Sequence, residues 1–192
     1  MLLPNKKLSL EEQLFEYLLA QYCAPVLQKI KVANMFHVDK HIFTNLLSII
    51  QTYNKKLNVK NIYLKLLSQN STHITIYIYC KSMLEHILCL TEIQEFLTIY
   101  HYPCNDVNQS LHYLEKRLFT CCGYPHEIGI FLGYPLCDVI GFIQHKPCKF
   151  CGYWKVYENV TATKQLFSAY DTCTKQAIYH IDCGKCIEQF IQ

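Results

Sequence analysis

The sequence predicts an α+β fold. It reads as one compact domain over residues 1–192, with a small mixed or antiparallel sheet of three to four strands covered by helices. Three observations carry this. Apolar residues recur at helical spacing along most of the chain but alternate over residues 62–66 and 74–80. Hydrophobic residues make up 51% of the 192 residues, enough to bury a core without staples. All six glycines fall between Gly123 and Gly184, five of them within Gly123–Gly152. That late segment is therefore where the backbone turns most sharply or approaches another group most closely.

The elements follow in order. Ser9-Leu-Glu-Glu12 has the form of a capping box, and Phe15, Leu18, Leu19 and Tyr22 continue it as an apolar stripe, with Pro25 expected to interrupt the helix near Cys23. Residues 31–38 read as a short strand. Asp39 is placed to cap a second helix carrying Ile42, Phe43, Leu46, Ile49, Ile50 and Tyr53. Ile62, Leu64 and Leu66 form one strand, and Ile74, Ile76, Ile78 and Cys80 a clearer one, joined across the polar break 68–72. Helices are expected over 82–89, 91–100 and around Val107–Leu118. Residues 152–157 read as a strand with Trp154 and Val156 on one face, and a last helix runs from about Thr161 to Ile181.

Composition narrows the function. A net charge of +3 and a single arginine, Arg117, argue against nucleic acid, which is usually met by a concentrated basic face and bidentate guanidinium groups. No run approaches a membrane span, and the opening residues Met1–Lys7 do not read as a signal peptide. These features predict a cytoplasmic location, with the 12 cysteines as thiols. The expected partners are a small molecule or a protein, with neither nucleic acid nor membrane.

In the glycine-rich segment, Pro125 suits a first helical turn, with Glu127 near its positive end. That helix would run over 126–132 and stop at Gly133. Pro135 can open a second short helix over 136–144, making a tight corner. Gly129 and Gly141 fall inside these helices, each costing about 1 kcal/mol relative to alanine. Close helix packing explains them most simply; backbone approach to a ligand is the sharper alternative.

These residues also carry a resemblance. The stretches Tyr124–Leu136 (YPHEIGIFLGYPL), Asp138–Ile143 (DVIGFI) and Cys151–Tyr157 (CGYWKVY) resemble the bacterial domain-of-unknown-function family 3793. Cys23, Pro25, Leu27, Lys31, Ala33 and Asn34 match a Cys-x-Pro-x-Leu stretch leading to Lys-x-Ala-Asn that is similar to the family's opening. The resemblance implies no particular chemistry. Lys29 stands where a small residue is expected and Cys137 where an acidic one is usual, while the terminal Cys183/Cys186 pair is not a family feature.

The candidate chemistry is drawn from few residues. Cys151 as nucleophile with His126 as base is the most concrete enzymatic reading, His126 being expected to have a lowered pKa at a helix start. A ligand pocket near the helical corner would be lined by Lys31, Asn34, Glu127, Gly129, Gly133, Tyr134, Asp138 and Trp154. Lys31 would offset an anionic group and Asn34 would orient it. Cys148, Cys151, Cys183 and Cys186 form two Cys-x-x-Cys pairs that could hold zinc in a structural site, a reading less favoured than ligand binding. A thioredoxin-type dithiol is disfavoured at Cys148/Cys151, because a strand rather than a helix follows. The functional expectation is small-ligand or cofactor recognition, with thiol chemistry as an extension. The alternatives are a zinc-stabilised adaptor and a protein-interaction module.

Overall fold

Residues 8–103, 106–120 and 124–191 are described by a computed structural model. Residues 1–7 and Gly123, read above, lie outside them. The fold is α+β. Its contacts divide it into two compact units: residues 1–80 with 170–192, and residues 81–169.

The first unit opens with α1 (Leu10–Leu27), started by the capping box: Glu12 N–H donates to Ser9 Oγ at 3.2 Å, and Ser9 N–H to Glu12 Oε2 at 2.8 Å. Contrary to expectation, Pro25 does not end α1 near Cys23. The proline stands in the last turn and forgoes its N–H bond to the preceding turn, a cost offset by the burial of Cys23–Leu27. The helix ends instead in a Schellman motif. Ile30 N–H donates to the Pro25 carbonyl at 2.9 Å and Lys29 N–H to that of Val26 at 2.9 Å, with Lys29 left-handed at φ 54°. This is why a small residue is expected at position 29.

Strand β1 (Ala33–Asp39) follows. Asp39 does not cap the next helix. Its Oδ1 accepts from His41 N–H at 2.8 Å, turning the chain, and α2 (Leu46–Leu57) starts later, after Asn45. Strands β2 (Ile62–Gln69) and β3 (His73–Cys80) form a hairpin without glycine. Asn70 Oδ1 takes its place by accepting from Thr72 N–H at 2.9 Å and His73 N–H at 2.7 Å.

The sheet is antiparallel throughout, in the order β1-β3-β2. Ile62, Leu64, Ile76 and Ile78 supply its apolar face, which joins α1, α2 and the end of the chain in the main core around Phe15, Tyr53 and Leu57. The opposite face carries a stack of tyrosines, Tyr63–Tyr79–Tyr77, with centroids 5.6 and 5.3 Å apart. The last part of α8 (Val160–Asp182) and a 3₁₀ turn at Ile187–Phe190 complete this unit. There the buried Glu16 carboxylate receives Tyr53 Oη at 2.9 Å and Ile187 N–H at 3.2 Å. Desolvation raises the pKa of Glu16 despite these two donors.

The second unit holds α3 (Lys81–Leu88), α4 (Thr91–Thr98), α5 (Val107–Thr120), α6 (Ile128–Phe131), α7 (Leu136–Ile143) and a short hairpin of β4 (Phe150–Cys151) and β5 (Lys155–Val156). The first turns of α8 close it. Residues 152–157 are thus not one strand: Gly152 N–H donates to the Trp154 carbonyl at 3.1 Å, and the chain reverses there. Trp154 and Val156 are nonetheless both buried, as their alternation predicts.

Candidate functional site

The expected site residues fall into both units. Lys31, Asn34, Cys183 and Cys186 belong to the first; His126, Glu127, Gly129, Gly133, Tyr134, Asp138, Cys148, Cys151 and Trp154 belong to the second.

In the second unit the helical corner is built for packing. Helix α6 is shorter than expected, since residues 126 and 127 lie in a turn before Ile128. It ends as predicted at Gly133, φ 76°, in a Schellman motif with Tyr134 N–H on the Gly129 carbonyl at 2.9 Å. A Cβ on Gly129 would stand 2.8 Å from Val139 Cγ2, and one on Gly141 2.5 Å from the Tyr157 ring. Close packing, the simpler reading, accounts for both glycines.

Two carboxylates are likewise engaged. Glu127, 1% exposed, stands at the N-cap of α6 as expected but makes no capping hydrogen bond there. It accepts from Arg117 Nε and from Tyr102 Oη at 3.1 Å. The lone arginine is thus committed to an ion pair whose carboxylate is buried and whose guanidinium is partly exposed. Asp138, 3% exposed, receives Trp154 Nε1 at 2.8 Å, Tyr157 N–H at 2.7 Å and Glu158 N–H at 3.3 Å. Asp138 is the clasp that fixes the hairpin on α7. The Trp154 indole then stacks on Tyr134 at 4.7 Å and meets Phe167 edge-on at 4.5 Å.

His126 and Cys151 are both exposed. The His126 ring meets Phe142 edge-on at 5.0 Å, and among the described residues no hydrogen bond joins it to Cys151. The geometry does not assemble them as a nucleophile–base pair. Cys148, Cys151 and Cys183 are exposed and Cys186 is half-buried, and no group of three or more His, Cys, Asp or Glu among the described residues could hold a metal ion.

The first unit holds a different arrangement. The Schellman turn after α1 folds residues 28–31 back, so that Lys31 N–H also donates to the Pro25 carbonyl, at 3.1 Å. Lys31 is consequently 5% exposed. Its Nζ donates to Asn34 Oδ1 at 2.9 Å and lies 5.9 Å from the centre of the Tyr170 ring. Asn34 stands on β1 opposite Ile78, on the α1 side of the sheet, and its Nδ2 donates to the Tyr22 carbonyl. Burial depresses the Lys31 pKa to about 8, only partly offset by the nearby Cys23. Burial pushes the Cys23 thiol far up, so it remains protonated at neutral pH.

The structure therefore brings Lys31 and Asn34 together, as proposed from sequence, and adds Cys23 and Tyr170. Cys23 carried a signal in its spacing to Lys31 and Asn34. Tyr170 carried only a helical apolar spacing that any core residue shares. An open groove of about 450 Å³ lies elsewhere in this unit, lined by Ser9, Glu11, Glu12, Asn45, Ser48 and Ile49. Glu11 is engaged there by Thr44 and Asn45, whose hydrogen bonds lower its pKa.

Among the described residues no helix is long and apolar enough to cross a membrane. Compared with known proteins, residues 19–191 match the model of one family, described as a protein of unknown function (DUF3793). No curated protein and no solved structure gives a match.

Proposed function

Because this chain belongs to the DUF3793 family, whose description carries no activity, we propose its role from the site alone: it binds a small anionic ligand or cofactor through Lys31 and Asn34. One observation carries the reading. A lysine amine lies buried with an amide carbonyl at 2.9 Å and a tyrosine ring beside it. Lysine is almost never fully buried without a reason, because desolvating an ammonium is costly. An anion arriving at Nζ would offset that cost. The Asn34 amide, anchored on the Tyr22 carbonyl, supplies orientation. Its position on the sheet makes it a rigid reference point.

The corner around Gly129, Gly133, Tyr134, Asp138 and Trp154 belongs to the second unit and is not part of this reading, since Gly129 and Asp138 are engaged in packing and hydrogen bonds there. The reading is tested by thermal denaturation with inorganic phosphate, sulfate and a panel of small mono- and dicarboxylates. At least one should raise Tm, by the equivalent of about 2.7 kcal/mol at a hundredfold excess over Kd. Lys31→Met should abolish the shift and Asn34→Ala should weaken it. A shift that persists in Lys31→Met, or none with any probe, would overturn the proposal.

A further inference from the structure

We propose that the outer edge of β1 is a docking surface for a second copy of this chain, the two β1 strands pairing antiparallel about a two-fold axis so that the three-stranded sheets of both copies join. This does not rest on the Lys31 site. The phase of the ladder exposes the edge. Cys80 N–H donates to the Val32 carbonyl at 2.9 Å and Lys40 N–H to that of Thr72 at 3.0 Å, at the two ends of an unbroken β1–β3 register. In an antiparallel pair, hydrogen-bonded and non-hydrogen-bonded positions alternate. Asn34, Phe36 and Val38 therefore turn their backbone groups to β3, while Ala33, Met35, His37 and Asp39 turn theirs outward. Among the described residues no hydrogen bond reaches these outward groups except at the strand end, where the Asp39 carbonyl accepts from Ile42 N–H at 3.2 Å.

The opposite edge is closed. Leu64 on β2 faces outward in the same sense, and Asn54 of α2 plugs it: Asn54 Nδ2 donates to the Leu64 carbonyl at 2.9 Å and Oδ1 accepts from Leu64 N–H at 2.8 Å. The β2 register also shifts between Leu66 and Ser68. Covered edges and bulges of this kind keep sheets from pairing with other chains. Strand β1 has neither, and its sequence, Ala-Asn-Met-Phe-His-Val-Asp, holds no proline or lysine. The protein blocks one edge and leaves the other ready to pair.

Burial and charge select the register and the occupant. Ala33 is buried, Met35 and Asp39 are half-buried and His37 is exposed, so an incoming strand meets residues 35–39. Asp39 is the one carboxylate of the strand. Self-pairing centred on His37 sets each Asp39 opposite Met35 of the other copy and diagonal to its His37. Each carboxylate then lies near an imidazole, and no two carboxylates face each other. Thr75 Oγ1, 3.0 Å from His37 Nδ1, already holds that ring on its side of the sheet. The two-fold closes the assembly at two copies, because the β2 edges left outside are plugged.

The test is sedimentation of the full chain over a range of concentrations, with amide exchange followed by NMR. One copy should give way to two as concentration rises. The amides of Met35, His37 and Asp39 should exchange at least about tenfold more slowly in the dimer, while those of Asn34, Phe36 and Val38 are protected in both states. Met35→Pro removes an outward N–H and leaves the β1–β3 ladder whole, so it should raise the dimer Kd at least about tenfold. His37→Lys, at an exposed position, sets two ammonium groups against each other across the axis and should weaken the dimer as much with folding unchanged. A single copy at every concentration, an assembly larger than two, or a dimer indifferent to both substitutions would overturn the proposal. Outward amides already slow in the single copy would overturn it too, since another part of the chain would then occupy the edge.

Discussion

Asp138 accepts the indole N–H of Trp154 at 2.8 Å while its other oxygen takes the backbone N–H of Tyr157 at 2.7 Å. One buried carboxylate on α7 thereby sets both the turn and the end of the hairpin. Hydrogen bonds to a charged group contribute about 1.5–3 kcal/mol each. Asp138→Ala should destabilise the protein by about 3 kcal/mol or more. Trp154 is the sole tryptophan, so its fluorescence in urea titrations reports this directly.

Gly141→Ala should cost about 1–3 kcal/mol, because the new methyl would overlap the Tyr157 ring. A Gly141→Ala, Tyr157→Ala double variant relieves that overlap. Its cost should fall below the sum of the single costs, measured as a double-mutant cycle by chemical denaturation.

Lys29→Gly should stabilise the protein by about 1 kcal/mol. It removes the left-handed penalty at the end of α1 and leaves both Schellman hydrogen bonds in place. The rise in Tm checks it, and a fall would show that Lys29 contributes more than backbone geometry.

Lys31 makes stability depend on pH in a defined window. Its pKa is lowered from 10.5 to about 8 on folding. Between these values the unfolded chain binds more protons than the folded one, so stability from this group rises with pH. Below pH 8 the full penalty for holding a buried ammonium applies, about 3 kcal/mol. Lys31→Met should therefore be more stable than the wild type at pH 7 without ligand, by up to that amount. The difference should shrink steadily between pH 8 and 10.5. Subtracting the two pH–stability curves cancels the other titrating groups.

Arg117→Ala should cost about 3–5 kcal/mol, since it leaves Glu127 charged and buried with Tyr102 as its remaining named donor. Pairing it with Glu127→Gln should recover much of that loss, read from denaturation midpoints.

Local rules made much of the fold legible. The capping box, the 73–80 alternation and the stop at Gly133 each depend on neighbours in sequence, and the structure holds them where the pattern puts them. Other features depended on tertiary context. Pro25 looked like a breaker because its cost is local, whereas the burial of Cys23–Leu27 that offsets it is not. Asp39 looked like a cap because nothing in sequence says that its oxygen will turn back to His41. The 152–157 segment looked like a strand because its alternation is genuine, but Gly152 packs against Phe167, where a Cβ would come within 2.3 Å, and the chain reverses. Of the candidate site, the Lys31–Asn34 pair could be nominated from residue type and spacing. Asp138 and Glu127 could not be told from ligand-binding acids, because their partners Trp154 and Arg117 stand 16 and 10 residues away.

The core of the first unit draws Cys173, Ala177, Ile181 and Ile187 from beyond residue 169, and Glu16 is satisfied in part by the Ile187 amide. During synthesis on the ribosome, the first eighty residues emerge lacking these groups. They must wait, incompletely sealed, while the intervening ninety or so are translated. A unit assembled from two segments so far apart in the chain is finished only when the second one is released, and its apolar surface stays open until then.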